Sequence, residues 1–504
     1  MVFRISSIAL LLACTIAPPT LAQIVPAQNT IVTPQGNTFN ITGGNTSSNG
    51  KNVFQVFDRL NLTAGQTANF QTQSTIRNIL TRITGNEPSR IDGLLKISGS
   101  NANLYLLNPS GILFGPNARL DLNGNFVGST ATGIKFGNQI WNGEANTNVN
   151  LLNSDPSHLT FGLDPSAIVN AGNLRVATGN TLALLGGSVA NTGTITAPGG
   201  QIALIAVPGS TAVQMQTVDN VLKFEFQPIV SLNQTLQNWS PNSFSQLLAK
   251  GQGLQHATRL ETTADGKIKL VGSTPESNLT IANASSTAIV SGTLDASKVG
   301  GIGGMVNLLG DRIVVENAIV KANGSQGGII QVGGEIQGTG TGPKANQTLI
   351  GKNAKLDANA IGFGNGGSIV VWSGSSTQFS GSASAKGSNQ GGNGGFIEIS
   401  GREKLGVTGQ ISTAAPQGRS GQVLFDPKEI IIGAAAPSLT ALPNNPILET
   451  DLFNTTTLYL APESIFNTQG TVLLAATDRI FISAEQSPSL NLGSGNPEIG
   501  RAHV

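Results

Sequence analysis

The chain has 504 residues, enough for two or three ordinary domains or one long repetitive one. Charged residues are only 11%, against about a quarter in typical domains, while 39% are hydrophobic and 64 residues are glycine. Disordered chains show the opposite balance, and a formal net charge of +1 argues against the concentrated basic face that nucleic acid demands.

Residues 1–22 read as a secretory signal peptide. Arg4 supplies the positive start, and the apolar run 5–16 is too short to span a membrane. Thr20 and Ala22 put small residues where a signal peptidase reads, so cleavage is expected between Ala22 and Gln23. A rival reading takes Leu11, Leu12, Ala13 and Cys14 as a lipoprotein box; it leaves a very short signal and strands an apolar stretch at the mature end. Cys14 is the only cysteine, so cleavage before Gln23 leaves none. That suits a chain threaded unfolded across a second membrane, where a crosslinked loop would obstruct passage. No later segment is a transmembrane candidate.

Beyond the signal, helical periodicity is nearly absent. Short alternating or apolar runs, such as those at 104–107, 201–207 and 368–372, are separated by Asn, Gly and Ser, which is a strand pattern with tight turns. Segments 172–176 and 191–197 look like early repeats. Residues 217–265 differ, carrying Phe224, Phe226, Trp239 and Phe244, and read as an excursion with one short helix near 243–250.

From residue 303 onward, double glycines open each unit: Gly303-Gly304, Gly327-Gly328, Gly366-Gly367 and Gly394-Gly395, with Ser420-Gly421 keeping only the second. The steps between second glycines are 24, 39, 28 and 26 residues, and the long step fits one unit plus a loop inserted at 338–347. Each unit holds about three short strands, too few for a propeller blade of roughly forty residues and four strands. The reading is all-β: a parallel β-helix, or single-stranded β-solenoid, with extra-helical loops or hairpins, in which each coil buries its inward side chains only by stacking. Gly and Asn are expected where the chain turns with positive φ. After Pro427 the regularity weakens, and 434–446 reads as a loop. The final six residues, Ile499, Gly500, Arg501, Ala502, His503 and Val504, match the translation of a common sequencing-adapter oligonucleotide. They are expected to be foreign, with the native chain continuing past about Glu498.

At 101–115 the sequence becomes specific. Asn108, Pro109, Ser110, Gly111 and Ile112 follow the strand 103–107, and the stretch resembles the filamentous haemagglutinin N-terminal domain, the secretion domain of two-partner secretion exoproteins. The family hallmark is Asn-Pro-Asn-Gly-Ile; here Ser110 replaces the second Asn. Segments 52–58, 79–85 and 91–95 also resemble the family, over about 23–207, and the later coils resemble its cyanobacterial branch. A second family motif, Asn-Pro-Asn-Leu, has no clear match. The resemblance implies a right-handed β-helix. It also implies an outer-membrane two-partner secretion transporter as partner, passage through the periplasm of a Gram-negative-type bacterium, and folding outside the cell or at its surface.

The expected organisation is a signal peptide at 1–22, the secretion domain at 23–208 and an irregular excursion at 209–280. β-helix repeats at 281–433 and a less regular β region at 434–498 follow, with the foreign hexapeptide at 499–504. For Asn108, Pro109, Ser110, Gly111 and Ile112 two readings stand together: a plain β-turn, with Pro presetting φ and Gly tolerating positive φ, and a motif for transporter recognition or folding. For catalysis the sequence is poor. His158 and His256 lack partners at metal-site spacing, and Asp295, Asp311 and Asp357 are scattered singly. No catalytic residue, metal or cofactor is assigned. The expected role is an adhesin or surface-structural exoprotein and not an enzyme. Its target is a host-cell, surface or matrix carbohydrate or protein; the alternative is a β-helix polysaccharide lyase or hydrolase.

Overall fold

The computed structural model describes residues 23–218, 221–228, 259–262, 268–271, 279–281, 286–340, 342–432, 457–460, 470–476 and 479–482. The expected signal peptide, the helix near 243–250, the loop at 434–446 and the final hexapeptide lie outside these residues. Among the described residues there is no α-helix; two short 3-10 turns interrupt an otherwise all-β chain.

The chain winds through three strand positions per coil and returns to the first. In one regular coil these are Met305–Leu309, Arg312–Val315 and Ile319–Lys321, after which Ile329–Val332 lies parallel to Met305–Leu309. Stacking the coils gives three faces. The first is a 14-stranded sheet running from Ile24–Ala27 to Thr471–Leu474. The second has nine parallel strands, from Ser89–Ile91 to Lys404–Val407. The third is a seven-stranded sheet continued N-terminally by a five-stranded one, the two meeting where Asn173 N–H donates to the Ala118 carbonyl at 3.1 Å. This is a parallel β-helix.

Alternation within each strand sends one side chain inward and the next outward. On the first face the inward column runs in register from Val53 through Ile79, Leu104, Phe126, Leu182 and Ile202 to Val306 and onward. All of these belong to one continuous buried core. At the N-terminal end the antiparallel hairpin Thr30–Gln35 with Thr38–Gly43 packs Val32 and Phe39 against that core and covers the first coils' open edge.

The double glycines stack as expected, but for a different physical reason. None of the second glycines from Gly304 to Gly421 has a positive φ. Instead a Cβ on Gly304 would lie 2.1 Å from the Gly200 carbonyl oxygen, and one on Gly395 or Gly421 would lie 2.0 Å from the oxygen of the preceding coil's glycine. Coil contact, not turn geometry, demands glycine here. Asparagine differs from expectation in the same way, since Asn317 is the only asparagine with positive φ among the described residues. Elsewhere its side-chain carbonyl accepts a backbone N–H from the next coil, as Asn103 does from Asn125 (2.9 Å), Asn323 from Asn359 (2.7 Å) and Asn365 from Asn393 (2.7 Å).

Insertions leave the solenoid at one corner, between the first and second faces. Two residues span it from Leu309 to Arg312, but fourteen separate Val332 from Gln347. This longer loop starts somewhat before the 338–347 expected from spacing. A larger insertion holds Gly133–Phe136, Gln139–Trp141 and His158–Thr160. These strands join Thr211–Val218 and Val221–Pro228 in a five-stranded antiparallel sheet. A boundary at residue 208 would cut that sheet in two. The sheet covers the outside of the first face and makes a second core, in which Phe54, Leu80, Tyr105 and Val127 meet Trp141, Phe161 and Met215. Phe54 packs edge-on against Trp141 and Phe136, with ring centroids 5.0 Å and 5.6 Å apart. First-face strands buried on both sides explain the continuous apolar runs of the early coils.

Candidate functional site

Asn103–Leu107 ends at the insertion corner, and the chain must turn sharply to enter Ile112–Phe114 on the second face. Asn108, Pro109, Ser110, Gly111 and Ile112 make that turn. Gly111 N–H donates to the Asn108 carbonyl at 3.0 Å, which closes a β-turn with Pro109 at its first central position and Gly111, at φ +113, ending it. The Asn108 side chain holds the turn from inside. Its Oδ1 accepts Ser110 N–H at 2.9 Å, and its Nδ2 donates to the Glu87 carbonyl and to Ser89 Oγ, both at 3.0 Å.

Neighbouring coils clamp the turn as well. Asn108 N–H donates to the Ser129 carbonyl at 2.9 Å, and Ser166 Oγ donates to the Pro109 carbonyl at 2.5 Å. Asn108 and Ile112 are fully buried, and Ser110 is 1% exposed. The five residues are therefore buried and tied to the coils on either side. The turn was legible as Asn-Pro-Ser-Gly. Ser129 and Ser166 carry no local signal, because their role depends on register with a distant strand.

Arg82 is a second feature that sequence reasoning passed over. It pairs in register with Leu107, points outward under the insertion, and is buried. Its guanidinium donates to the Ile83 carbonyl and, through Nε, to the Asn142 carbonyl at 3.2 Å, and burial pulls its pKa down to about 9. Gln28 Nε2 donates to the adjacent Gly143 carbonyl at 2.6 Å, so the N-terminal segment, Arg82 and the insertion are tied at one point. A charge inside the apolar run 78–83 was the only available clue.

The carboxylates considered for catalysis stand at two separate places in the fold. Asp295 and Asp357 are not isolated: both stand on one column of the third face, with Lys321 between them. Burial raises the Asp357 pKa, against the opposing pull of Lys321, Lys355 and Lys386. Asp311 lies elsewhere, accepting from Asn346 Nδ2 at 2.6 Å. His158 Nδ1 lies 3.0 Å from Ser157 Oγ; burial and then Lys135 lower its pKa, against a hydrogen bond that the ring donates to Gln227. His256 is outside the described residues. Among the described residues no three His, Cys, Asp or Glu side chains gather as a metal site.

Residues 19–238 match the family model described as the TPS secretion domain. No curated protein matches the chain. Among solved structures, the HMW1 secretion domain from Haemophilus influenzae is 19% identical, with 78% of this chain and 98% of that one covered and a TM-score of 0.41. The filamentous hemagglutinin secretion domain is 16% identical, with 78% and 99% covered and a TM-score of 0.30. Residues 19–238 therefore form a secretion domain of the two-partner secretion family. Membership implies an outer-membrane transporter as partner and export through it.

Proposed function

We propose that the chain is an exported adhesin or surface-structural exoprotein. Its first 230 or so residues direct transport and seed folding, and the later coils form the exposed stalk. Cleavage before Gln23 would place the mature end beside the first strand, where Ile24 already pairs with Leu60. The secretion domain is taken to reach past residue 208, because Thr211–Val218 and Val221–Pro228 complete the sheet begun at Gly133–Phe136.

Burial of Asn108, Pro109, Ser110, Gly111 and Ile112 is the observation that bears on mechanism. A transporter meeting folded protein cannot touch these side chains. We therefore assign the turn to folding: it locks three coils together, and chain emerging from the pore adds to that edge. Ordering costs about 1–2 kcal/mol of backbone entropy per residue, which a first coil cannot offset alone. The lyase or hydrolase alternative gains no support, since Lys321 separates the two stacked carboxylates.

The test is export of the full chain from a Gram-negative host with and without its transporter, comparing native protein with Asn108→Ala. Transporter-dependent release that falls in the variant, together with protease-sensitive chain at the cell surface, supports a folding turn. Full release of Asn108→Ala as protease-resistant protein would end that assignment, and release without the transporter would end the export reading.

A further inference from the structure

The corner between the third and first faces is open, and the glycine pairs make it a trough of about 950 Å³ crossing six successive coils. Its floor is bare backbone from Gly200 to Gly421, because coil contact forbids a Cβ at each step. The two rims differ. The residues just before the pairs are mainly amides, Gln326, Asn365 and Asn393, and those just after are Met305, Ile329, Ser368, Phe396 and Gln422. Ile329 is 36% exposed, and Ile302, at one end, is 63% exposed. Met305, Ile329 and Phe396 thus stand across a floor without side chains from the amides Gln326, Asn365 and Asn393.

Several ligand classes fail on this chemistry. The only charged side chains lining the trough are Lys298 and Arg419, too few to follow a nucleic acid backbone. A peptide adding as a β-strand needs free backbone donors, but the floor donors are spent. Gly303, Gly327 and Gly366 N–H donate to the carbonyls of Gln326, Asn365 and Asn393 at 2.9, 3.0 and 2.9 Å. A purely apolar ligand would bury the Nδ2 donors of Asn365 and Asn393 unpaired, since only their Oδ1 atoms are engaged, by N–H groups of the next coil. A carbohydrate satisfies both rims, since its hydroxyls pair with amides while its C–H faces cover Ile329 and Phe396. Coils repeat about every 4.8 Å, an interval close to the length of a sugar unit in an extended chain. No Asp, Glu or His lines the trough, so it offers no acid–base pair for cleavage.

We propose that this glycine-floored trough binds a neutral polysaccharide strand lying along the solenoid axis and holds it without cleaving it. The inference deepens the adhesive reading of the later coils and rests on it. The test is native electrophoresis of the purified full chain through gels containing hydroxyethyl cellulose, dextran or galactomannan, with alginate as the acidic comparison. The variant combines Gln326→Ala, Ile329→Ala and Gln422→Ala, all at exposed positions. At least one neutral gel is expected to retard the native chain, with affinity tenfold or more weaker in the variant and little change in high salt. An unchanged thermal midpoint shows that the variant is folded, and Ile329→Ser alone replaces it if the midpoint moves. Retardation by no neutral polymer, retardation unchanged by the variant, or retardation by alginate alone that salt abolishes would each overturn the proposal. Attachment of cells to a surface coated with the chain is scored separately. Attachment without retardation sinks the trough and spares the adhesive reading; retardation without attachment does the reverse.

Discussion

The coils up to Gln201–Ala206 and those from Met305–Leu309 onward share one inner core but differ in what lies outside it. In the early coils the antiparallel sheet buries the outer side of the first face under Trp141, Phe136 and Leu159. In the later coils the same column passes to Asn307, Gln331, Val370 and Glu398, and the loop at 333–346 covers only part of it. Two cores sharing one sheet make the early block a cooperative unit. A bare stack of coils is held by nearest-neighbour contacts and its stability adds coil by coil. The arrangement suits a chain that emerges in order, with a self-supporting start followed by an extensible remainder.

Removing the second core should collapse that distinction, and it is the largest effect expected. Trp141 is 1% exposed and packs edge-on against Phe54. Trp141→Ala should cost about 3–5 kcal/mol, seen as a lower denaturant midpoint for the early block. If the later coils keep their protease resistance while the early block loses its own, the two regions are separable. If both fall together, the early block supports the whole stack.

The later coils carry a pH dependence of their own. Burial pushes Glu316 and Glu398 up to about 7 from an ordinary 4.5. For Glu398 the hydrogen bonds from Ser400 and from Gln337 N–H, 3.0 Å from each carboxylate oxygen, pull the other way, and Asp426 adds to the rise. Between these values the folded chain holds protons that the unfolded chain has released. Stability is therefore fully present below about 4.5 and falls as pH rises through about 7. The loss is on the order of 3 kcal/mol for each carboxyl. Trp372, packed under the loop beside Gly338, reports it. Its unfolding midpoint should drop between pH 5 and pH 8 with Trp141 and Trp239 replaced by Phe, and Glu398→Gln should flatten the slope. A midpoint that rises with pH would contradict the assignment.

Gly395→Ala tests the glycine stack. The new methyl carbon would start 2.0 Å from the Gly367 oxygen, so the two coils must part. A cost of about 1–3 kcal/mol is expected, confined to the later coils and visible as new proteolytic cleavage near 395. An unchanged fragment pattern would mean that the coils slide apart at little cost.

Much of this architecture could be read from the chain, for reasons specific to particular residues. Gly304, Gly328, Gly367, Gly395 and Gly421 recur because each must pass the backbone of the coil before it, so stacking leaves a trace in the spacing. The turn at Asn108 was readable because Pro109 and Gly111 have local conformational preferences. The sheet over the early coils left no such trace. Its strand His158–Thr160 pairs with Thr211–Val218, and nothing local marks two alternating segments that far apart as partners. For the same reason the burial of Asn108 under Ser129 and Ser166 could not be read, and with it the case for folding over recognition.

The smallest expected effect concerns how the early coils are joined. The early coils are linked through a ladder of side-chain amides. Asn103 Nδ2 donates to Asn78 Oδ1 at 2.9 Å, Asn78 Nδ2 donates to Asn52 Oδ1 at 2.8 Å, and Asn103 Oδ1 accepts Asn125 N–H at 2.9 Å. Asn103 is half-buried, so water can replace part of what its removal takes away. Asn103→Ala should therefore cost only about 1 kcal/mol, read as a small shift in the denaturant midpoint of the early block. Asn78 is 1% exposed, and its loss leaves Asn52 Oδ1 without that donor, so Asn78→Ala should cost more, about 1–3 kcal/mol. Equal effects at the two positions would mean that the ladder acts as one unit, with solvent access irrelevant. A larger effect at Asn103 would place the joint between the third and fourth coils rather than at the buried start of the ladder.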